Sequence, residues 1–150
     1  MDNDIKEYLM EKFGRIHPAF EVMDRYNPEL LKGFVTMRRA TLKPKDAPEG
    51  ALPEKIKELI IIAVEVALGR GEGGKSHARR AVRLGATAKE VEEAVELCTW
   101  LAGWSTWVDC GMDAVLAAED EERKMKEGKP FYWTSEVTTS EEKQHSRNIS

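Results

Sequence analysis

Residues 53–85 read PEKIKELIIIAVEVALGRGEGGKSHARRAVRLG, and this stretch decides the fold class. Pro53 suits the first turn of a helix, and the apolar residues that follow recur at helical spacing up to Leu68. Because apolar side chains cover nearly every face of this segment, we expect a central, enclosed helix over residues 54–68. Its length exceeds that of a typical strand, although its richness in Ile and Val leaves a buried strand as an alternative.

Cap and turn residues before this stretch predict further helices. A segment over residues 2–12 ends at Gly14, and Asn27-Pro28-Glu29 is typical of a helix start, which predicts a helix continuing to about residue 41. Residues 41–50 contain Pro44 and Pro48 among charged residues, so we expect a linker there.

The same signals continue after the glycine-rich segment. A short helix is expected over residues 75–84, where Gly85 ends it, and Thr87-Ala88-Lys89-Glu90 is a capping box that opens a helix over residues 88–101. Apolar residues at helical spacing over residues 104–118 predict a last helix. The chain therefore predicts an all-α fold.

The C-terminal segment differs in composition from the rest. Gly128 ends the last predicted helix, and residues 129–150 form a polar tail that contains the aromatic cluster Phe131-Tyr132-Trp133. We expect one compact multi-helix domain over residues 1–128. The tail has no core of its own, so it is either disordered or a strap whose aromatic side chains dock on a neighbouring subunit.

Composition excludes several classes of partner. The chain has 150 residues, 41% of them hydrophobic, and a formal net charge of −4, which suits one globular domain and argues against nucleic-acid binding. The longest strictly apolar run, residues 59–64, is far shorter than the ~20 residues that cross a bilayer. The N-terminus is acidic and lacks the apolar region of a secretory signal, so we expect a cytoplasmic protein.

The chain has two cysteines, Cys98 and Cys110, and we expect both to be buried thiols without a redox role.

Residues 69–76, GRGEGGKS, match the phosphate-binding pattern G-x-x-x-x-G-K-[ST] letter for letter. In a nucleotide-binding protein Lys75 would reach the terminal phosphates and Ser76 would hold magnesium. That loop works between a β-strand and a helix within a sheet, and the remaining sequence offers no further strands. A helix-to-helix turn is therefore preferred, with nucleotide binding kept as the alternative function.

Three ionisable residues flank the glycine-rich segment. Glu58 and Glu65 are seven residues apart, so they share a helix face about 10 Å apart along its axis. His77 begins the helix that follows, and its imidazole exchanges protons at neutral pH. Glu58 and His77 are the candidates for acid-base catalysis. Glu65 could instead form an ion pair with an arginine of another helix, and Glu58 could simply lie near the helix start.

Four segments and one single residue between residues 52 and 118 carry a recognisable pattern. They are Lys57-Glu58-Leu59-Ile60, Ala67-Leu68-Gly69-Arg70, His77-Ala78-Arg79-Arg80-Ala81 and Leu84-Gly85-Ala86-Thr87, followed by Glu90. This ordered set resembles the carboxymuconolactone decarboxylase family and the alkylhydroperoxidase-D-like superfamily to which that family belongs. The peroxidase branch carries CxxC ahead of the family histidine, and those positions here are Arg70 and Gly73, so thiol peroxidase chemistry is not expected.

The resemblance implies a lyase, with Glu58 and His77 in the positions of the family's glutamate and histidine. The implied reaction is a decarboxylation of a small unsaturated carboxylated lactone or acid, without a metal or an organic cofactor. Arg70 is the candidate carboxylate anchor, because a guanidinium binds carboxylates through two hydrogen bonds. The further candidates for substrate contact are Glu65, Trp104 and Trp107.

The superfamily also implies a homo-oligomer, a trimer or a hexamer, in which the Trp-rich segment and the aromatic tail would lie between subunits. A third hypothesis for function follows from this. The chain could be a non-enzymatic helical assembly module that keeps the scaffold without the chemistry.

Overall fold

The computed structural model describes residues 1–43 and 50–133, which form helices and no strand. The elements in chain order are α1 (Asn3–Phe13), α2 (Pro18–Tyr26), α3 (Pro28–Thr41), α4 (Glu54–Ala67), α5 (Gly71–Arg83), α6 (Ala88–Ala102), α7 (Trp104–Thr106), a π-helical turn (Trp107–Gly111) and α8 (Met112–Lys126). The predicted all-α fold is confirmed, and the alternative of a buried strand over residues 54–68 is wrong. No helix in this part of the chain combines the length and the apolar character needed to cross a membrane.

Two helix starts use the cap residues that the sequence indicated. The Leu30 amide donates to Asn27 Oδ1 at 3.1 Å, with Pro28 in the first turn of α3. At α6 the Thr87 hydroxyl accepts from the Glu90 amide while the Glu90 carboxylate accepts from the Thr87 amide, which is a complete capping box. Hydrogen bonds from Lys55 and Thr87 hold the pKa of the Glu90 carboxyl below its ordinary value.

Two helices differ from the predictions. α2 was not predicted; it begins at Pro18, and the His17 side chain caps it by accepting from the Ala19 amide at 3.1 Å. α5 begins at Gly71, four residues before the predicted start, because most of the glycine-rich segment is helical. The prolines of the predicted linker, Pro44 and Pro48, lie outside the described residues, as do residues 134–150 of the tail.

Two apolar clusters hold the helices together. The larger one joins α4, α5, α6, the π-helical turn and α8, and it includes Ile62, Val66, Ala78, Ala81, Val82, Val91, Val95, Cys98, Cys110, Ala114 and Ala118. Both cysteines are buried free thiols, as predicted. A smaller cluster joins α1 and α3 and includes Ile5, Tyr8, Leu9, Phe13, Leu31 and Val35.

Small residues let the central helices approach closely. A Cβ atom added at Gly74 of α5 would lie 3.3 Å from Val66 Cγ2 of α4 and 3.8 Å from Ala114 Cβ of α8. A Cβ atom added at Gly111 would lie only 2.5 Å from Cγ1 of the fully buried Val95. At Gly111 an added methyl group overlaps a packed side chain, whereas at Gly74 it requires Val66 to shift by a few tenths of an ångström.

A matched pair of glycine substitutions tests this packing. Gly111→Ala is expected to lower the free energy of unfolding by about 1–3 kcal/mol, because the new methyl group overlaps Val95. Gly33→Ala is expected to raise it by about 0.5–1 kcal/mol, because Gly33 is inside α3 and an added Cβ meets nothing within 4 Å. Urea unfolding followed by circular dichroism measures both. Equal effects of the two substitutions would contradict the close packing at Gly111.

Candidate functional site

Glu58 and His77 form a buried pair between α4 and α5. His77 Nδ1 lies 2.5 Å from Glu58 Oε2, with Glu58 fully buried and His77 8% exposed. The other carboxylate oxygen, Oε1, is buried without a hydrogen-bond partner in the described part of the chain. The structure therefore brings together the two residues that the sequence singled out for acid-base chemistry.

The hydrogen bond between Glu58 and His77 determines which nitrogen of the imidazole is left to contact a ligand. An ionised carboxylate accepts hydrogen bonds and donates none, so His77 Nδ1 carries a proton when Glu58 is charged. The second ring nitrogen, Nε2, is then a base in the neutral imidazole and an acid in the imidazolium. A carboxylate held in this way orients the ring and stabilises its positive charge.

His77 lies at the wall of a pocket of about 460 Å³ between α3 and α4, a volume that suits a small molecule. Most of the lining is apolar. The residues that line it are Phe34, Met37, Arg38, Thr41, Leu42, Lys57, Ile60, Ile61 and His77. The Lys57 ammonium group donates to the carbonyl oxygens of Thr41 and Lys43, at the end of α3.

Arg38 is a pocket residue that the sequence analysis missed. Its guanidinium carbon lies 4.9 Å from the ring centre of Phe13, 5.7 Å from that of Phe34 and 5.4 Å from that of Trp133. The four-residue spacing of Phe34 and Arg38 was a signal that they share a helix face. Nothing in the sequence showed that this face meets His77.

The C-terminal segment passes beside the same site. The Trp133 ring meets the His77 ring edge-on, with their centres 4.7 Å apart, and it meets Phe13 at the same distance. The Trp133 amide donates to the Phe13 carbonyl at 3.1 Å. The sequence predicts that these aromatic residues are disordered or dock on a neighbouring subunit. In the structure residues 131–133 pack on their own chain, and a contact with a second subunit stays a prediction.

Gly14 is the residue that lets this segment approach α1. It follows α1 in a left-handed conformation, with φ at 74°, and an added Cβ would lie 2.1 Å from the Phe131 carbonyl oxygen. Arg83 donates to the Lys129 carbonyl at 2.8 Å and pairs with the buried Glu121 at 2.6 Å. The segment is thus held at several points along residues 129–133.

The residues of the phosphate-binding pattern do not form a phosphate-binding loop. Residues 71–76 are the first turns of α5, and α4 precedes them where a nucleotide-binding protein has a strand. Lys75 pairs with Glu72 at 2.5 Å, and Ser76 is buried. The glycines instead give α5 its close contacts with neighbouring helices.

Four further candidates from the sequence lie away from the pocket at His77. Arg70 is exposed, just before α5 begins. Glu65 packs against α5 at Gly73, where an added Cβ would lie 2.8 Å from the carboxylate carbon. Trp104 and Trp107 line a separate pocket of about 470 Å³, and its other lining residues are Glu92, Glu96, Thr99 and Trp100. The placement of these four does not support contact with a ligand that His77 also contacts.

Among the described residues, no group of three or more His, Cys, Asp and Glu side chains is placed to hold a metal ion. The expectation of a reaction without a metal or organic cofactor stays a prediction.

Comparisons with known proteins agree on one family. Residues 28–119 match the model of the carboxymuconolactone decarboxylase family. A candidate carboxymuconolactone decarboxylase from Burkholderia xenovorans LB400 has a similar structure, with a TM-score of 0.76 and 24% identity, over 85% of this chain and 96% of that one. A carboxymuconolactone decarboxylase family protein from Legionella pneumophila gives a TM-score of 0.60 and 26% identity, over 79% and 95%. No curated protein matches significantly.

The contact between Trp133 and His77 predicts that the indole shields the imidazole. Trp133→Ala should increase the rate at which diethyl pyrocarbonate modifies His77 several-fold, measured by mass spectrometry of the modified peptide. Trp100→Ala is the matched control, because that side chain is 81% exposed and lines the other pocket. An unchanged rate in Trp133→Ala would show that the indole does not cover His77.

Proposed function

The chain belongs to the carboxymuconolactone decarboxylase family, and on that premise we propose that it is a cofactor-independent lyase whose acid-base pair is His77 and Glu58. The proposed substrate is a small unsaturated carboxylated lactone or a related acid. The observation that carries the proposal is the buried 2.5 Å contact between His77 and Glu58 at the wall of an apolar pocket. Such a pair holds a proton where bulk water does not compete for it.

The proposed reaction replaces a carboxylate by a proton. The bond between the carboxylate and its neighbouring carbon breaks, CO2 leaves, and the electron pair moves into the conjugated carbonyl group. The His77 imidazolium donates the Nε2 proton to carbon, and the neutral ring later recovers a proton from water. Glu58 accepts a hydrogen bond from the protonated Nδ1 throughout, and its negative charge stabilises the imidazolium before the Nε2 proton is transferred.

The pocket supports a substrate with an apolar body. Met37, Ile60 and Ile61 present hydrocarbon surface beside His77, and a low-polarity environment favours the loss of a carboxylate charge. Thiol peroxidase chemistry is not proposed, because Cys98 and Cys110 are buried and neither lies just ahead of His77 in the chain.

We also propose that the chain forms a homo-oligomer, a trimer or a hexamer. Large apolar side chains are exposed at the end of α6 and the start of α7, with Trp100 81%, Leu101 77% and Trp104 71% exposed. Burying such a surface between subunits would remove it from water.

Cytoplasmic residence and the division at Gly128 between domain and tail stay predictions. The non-enzymatic assembly module is the second candidate function, and the same exposed surface favours it.

His77→Gln is expected to lower kcat/KM by about 10²- to 10⁴-fold, because an amide cannot transfer the proton. The measurement is CO2 release from a panel of unsaturated carboxylic acids and carboxylated lactones, with circular dichroism to show that the fold persists. His17→Gln makes the same chemical change outside the pocket, at the cap of α2, and should keep wild-type turnover. Equal turnover of wild type and His77→Gln would refute the assignment. No CO2 release by the wild-type protein from any of these compounds would favour the assembly module.

A further inference from the structure

Arg38 is held in place by aromatic rings. Its guanidinium carbon lies within 6 Å of the ring centres of Phe13, Phe34 and Trp133, which come from α1, α3 and the C-terminal segment. The attraction between a cation and a ring face stabilises this position. Rings fix the guanidinium without using its N–H groups, so those groups stay available as donors to a ligand.

The guanidinium also lacks a protein counter-charge in the described part of the chain. Three other arginines with long-range contacts each pair with an acid: Arg39 with Asp4 at 2.7 Å, Arg80 with Glu54 at 3.2 Å, and Arg83 with Glu121 at 2.6 Å. Arg38 makes no such ion pair, and its Nε atom is buried without a hydrogen-bond partner. A buried donor without a partner is costly, and an anionic ligand would supply the missing acceptor.

The charges around the pocket favour an anion. The Glu58 carboxylate is buried behind His77 and compensates that ring, while the Lys57 ammonium group is already bonded to two backbone carbonyl oxygens. Neither Lys57 nor Arg38 pairs with a carboxylate in the described part of the chain, so both charges favour an anion, and Arg38 is the one whose donors are not bonded to backbone oxygens. The remaining lining is largely apolar, which suits a carboxylate attached to a small flat hydrocarbon or heterocycle.

We infer that Arg38, and not Arg70, is the carboxylate anchor of this pocket. Guanidinium binding stabilises the charged carboxylate, so the anchored group is one that is retained, while the reacting carbon faces His77. The inference deepens the proposed function and rests on it for the chemistry at His77. Binding at Arg38 can be tested without any turnover.

The test uses benzoate and 2-furoate as probes, with benzamide and furan-2-carboxamide as neutral counterparts of the same shape. NMR titration of the full chain gives a Kd for each. Arg38→Met, which keeps much of the aliphatic packing, is expected to raise the Kd of both carboxylates at least about ten-fold and to leave the amides unchanged. Arg38→Lys should show a smaller loss, because it keeps the charge without the forked donors.

Two arginines serve for comparison. Arg39→Met changes the neighbouring residue, which pairs with Asp4 outside the pocket, and should bind benzoate as the wild type does. Loss of benzoate binding in Arg70→Met, with full binding in Arg38→Met, would overturn the inference. So would failure of both carboxylates to bind the wild-type protein.

A further readout covers the case in which Arg38→Met does not fold. The side-chain Nε resonance of Arg38 in the wild-type protein should shift on saturation with benzoate and stay in place with benzamide. An unmoved resonance would overturn the inference.

The two hypotheses can fail separately. Carboxylate binding that depends on Arg38 but is accompanied by no CO2 release would reject only the proposed lyase function. Full kcat/KM in Arg38→Met would reject only the role of Arg38 as the carboxylate anchor.

Discussion

The close approach of α5 to α4 and α8 is the constraint on which the rest of the structure depends. Gly74, Ala78 and Ala81 present little more than backbone to the neighbouring helices, and both alanines are fully buried. Larger side chains there would separate the helices and move His77 away from Glu58. The same small residues therefore produce both the density of the core and the short contact at the site.

The packing of α4 against α5 also brings Glu58 and His77 together in the interior. Glu58 comes from inside α4 and meets His77 on α5, so neither side chain needs a loop to position it. Residues held on packed helices keep their geometry more strictly than residues on loops. Trp133 adds a third element, because it contacts His77 on one edge and lies beneath the Arg38 guanidinium. One ring thus links the buried pair of Glu58 and His77 to the Arg38 guanidinium.

The protein separates its two aromatic regions. The Phe13, Phe34 and Trp133 rings are drawn inward around Arg38, where they hold a charge in place. The Trp100 and Trp104 rings are exposed, and they lie on a face that no other described residue covers. The same kinds of aromatic side chain therefore have different surroundings, depending on whether the fold buries them.

Local patterns in the sequence determined the helical class, the caps at Asn27 and Thr87, and the candidates Glu58 and His77. The helical class and the caps depend on residues within a few positions of one another, whereas Glu58 and His77 were found from their places beside the glycine-rich segment and from the family resemblance. Only the tertiary structure placed Arg38 and Trp133 beside His77, left Arg70, Glu65, Trp104 and Trp107 outside that pocket, and made the glycine-rich segment part of α5. Those outcomes depend on contacts between distant helices, and whether a glycine ends a helix or packs inside one is decided by the neighbour it meets.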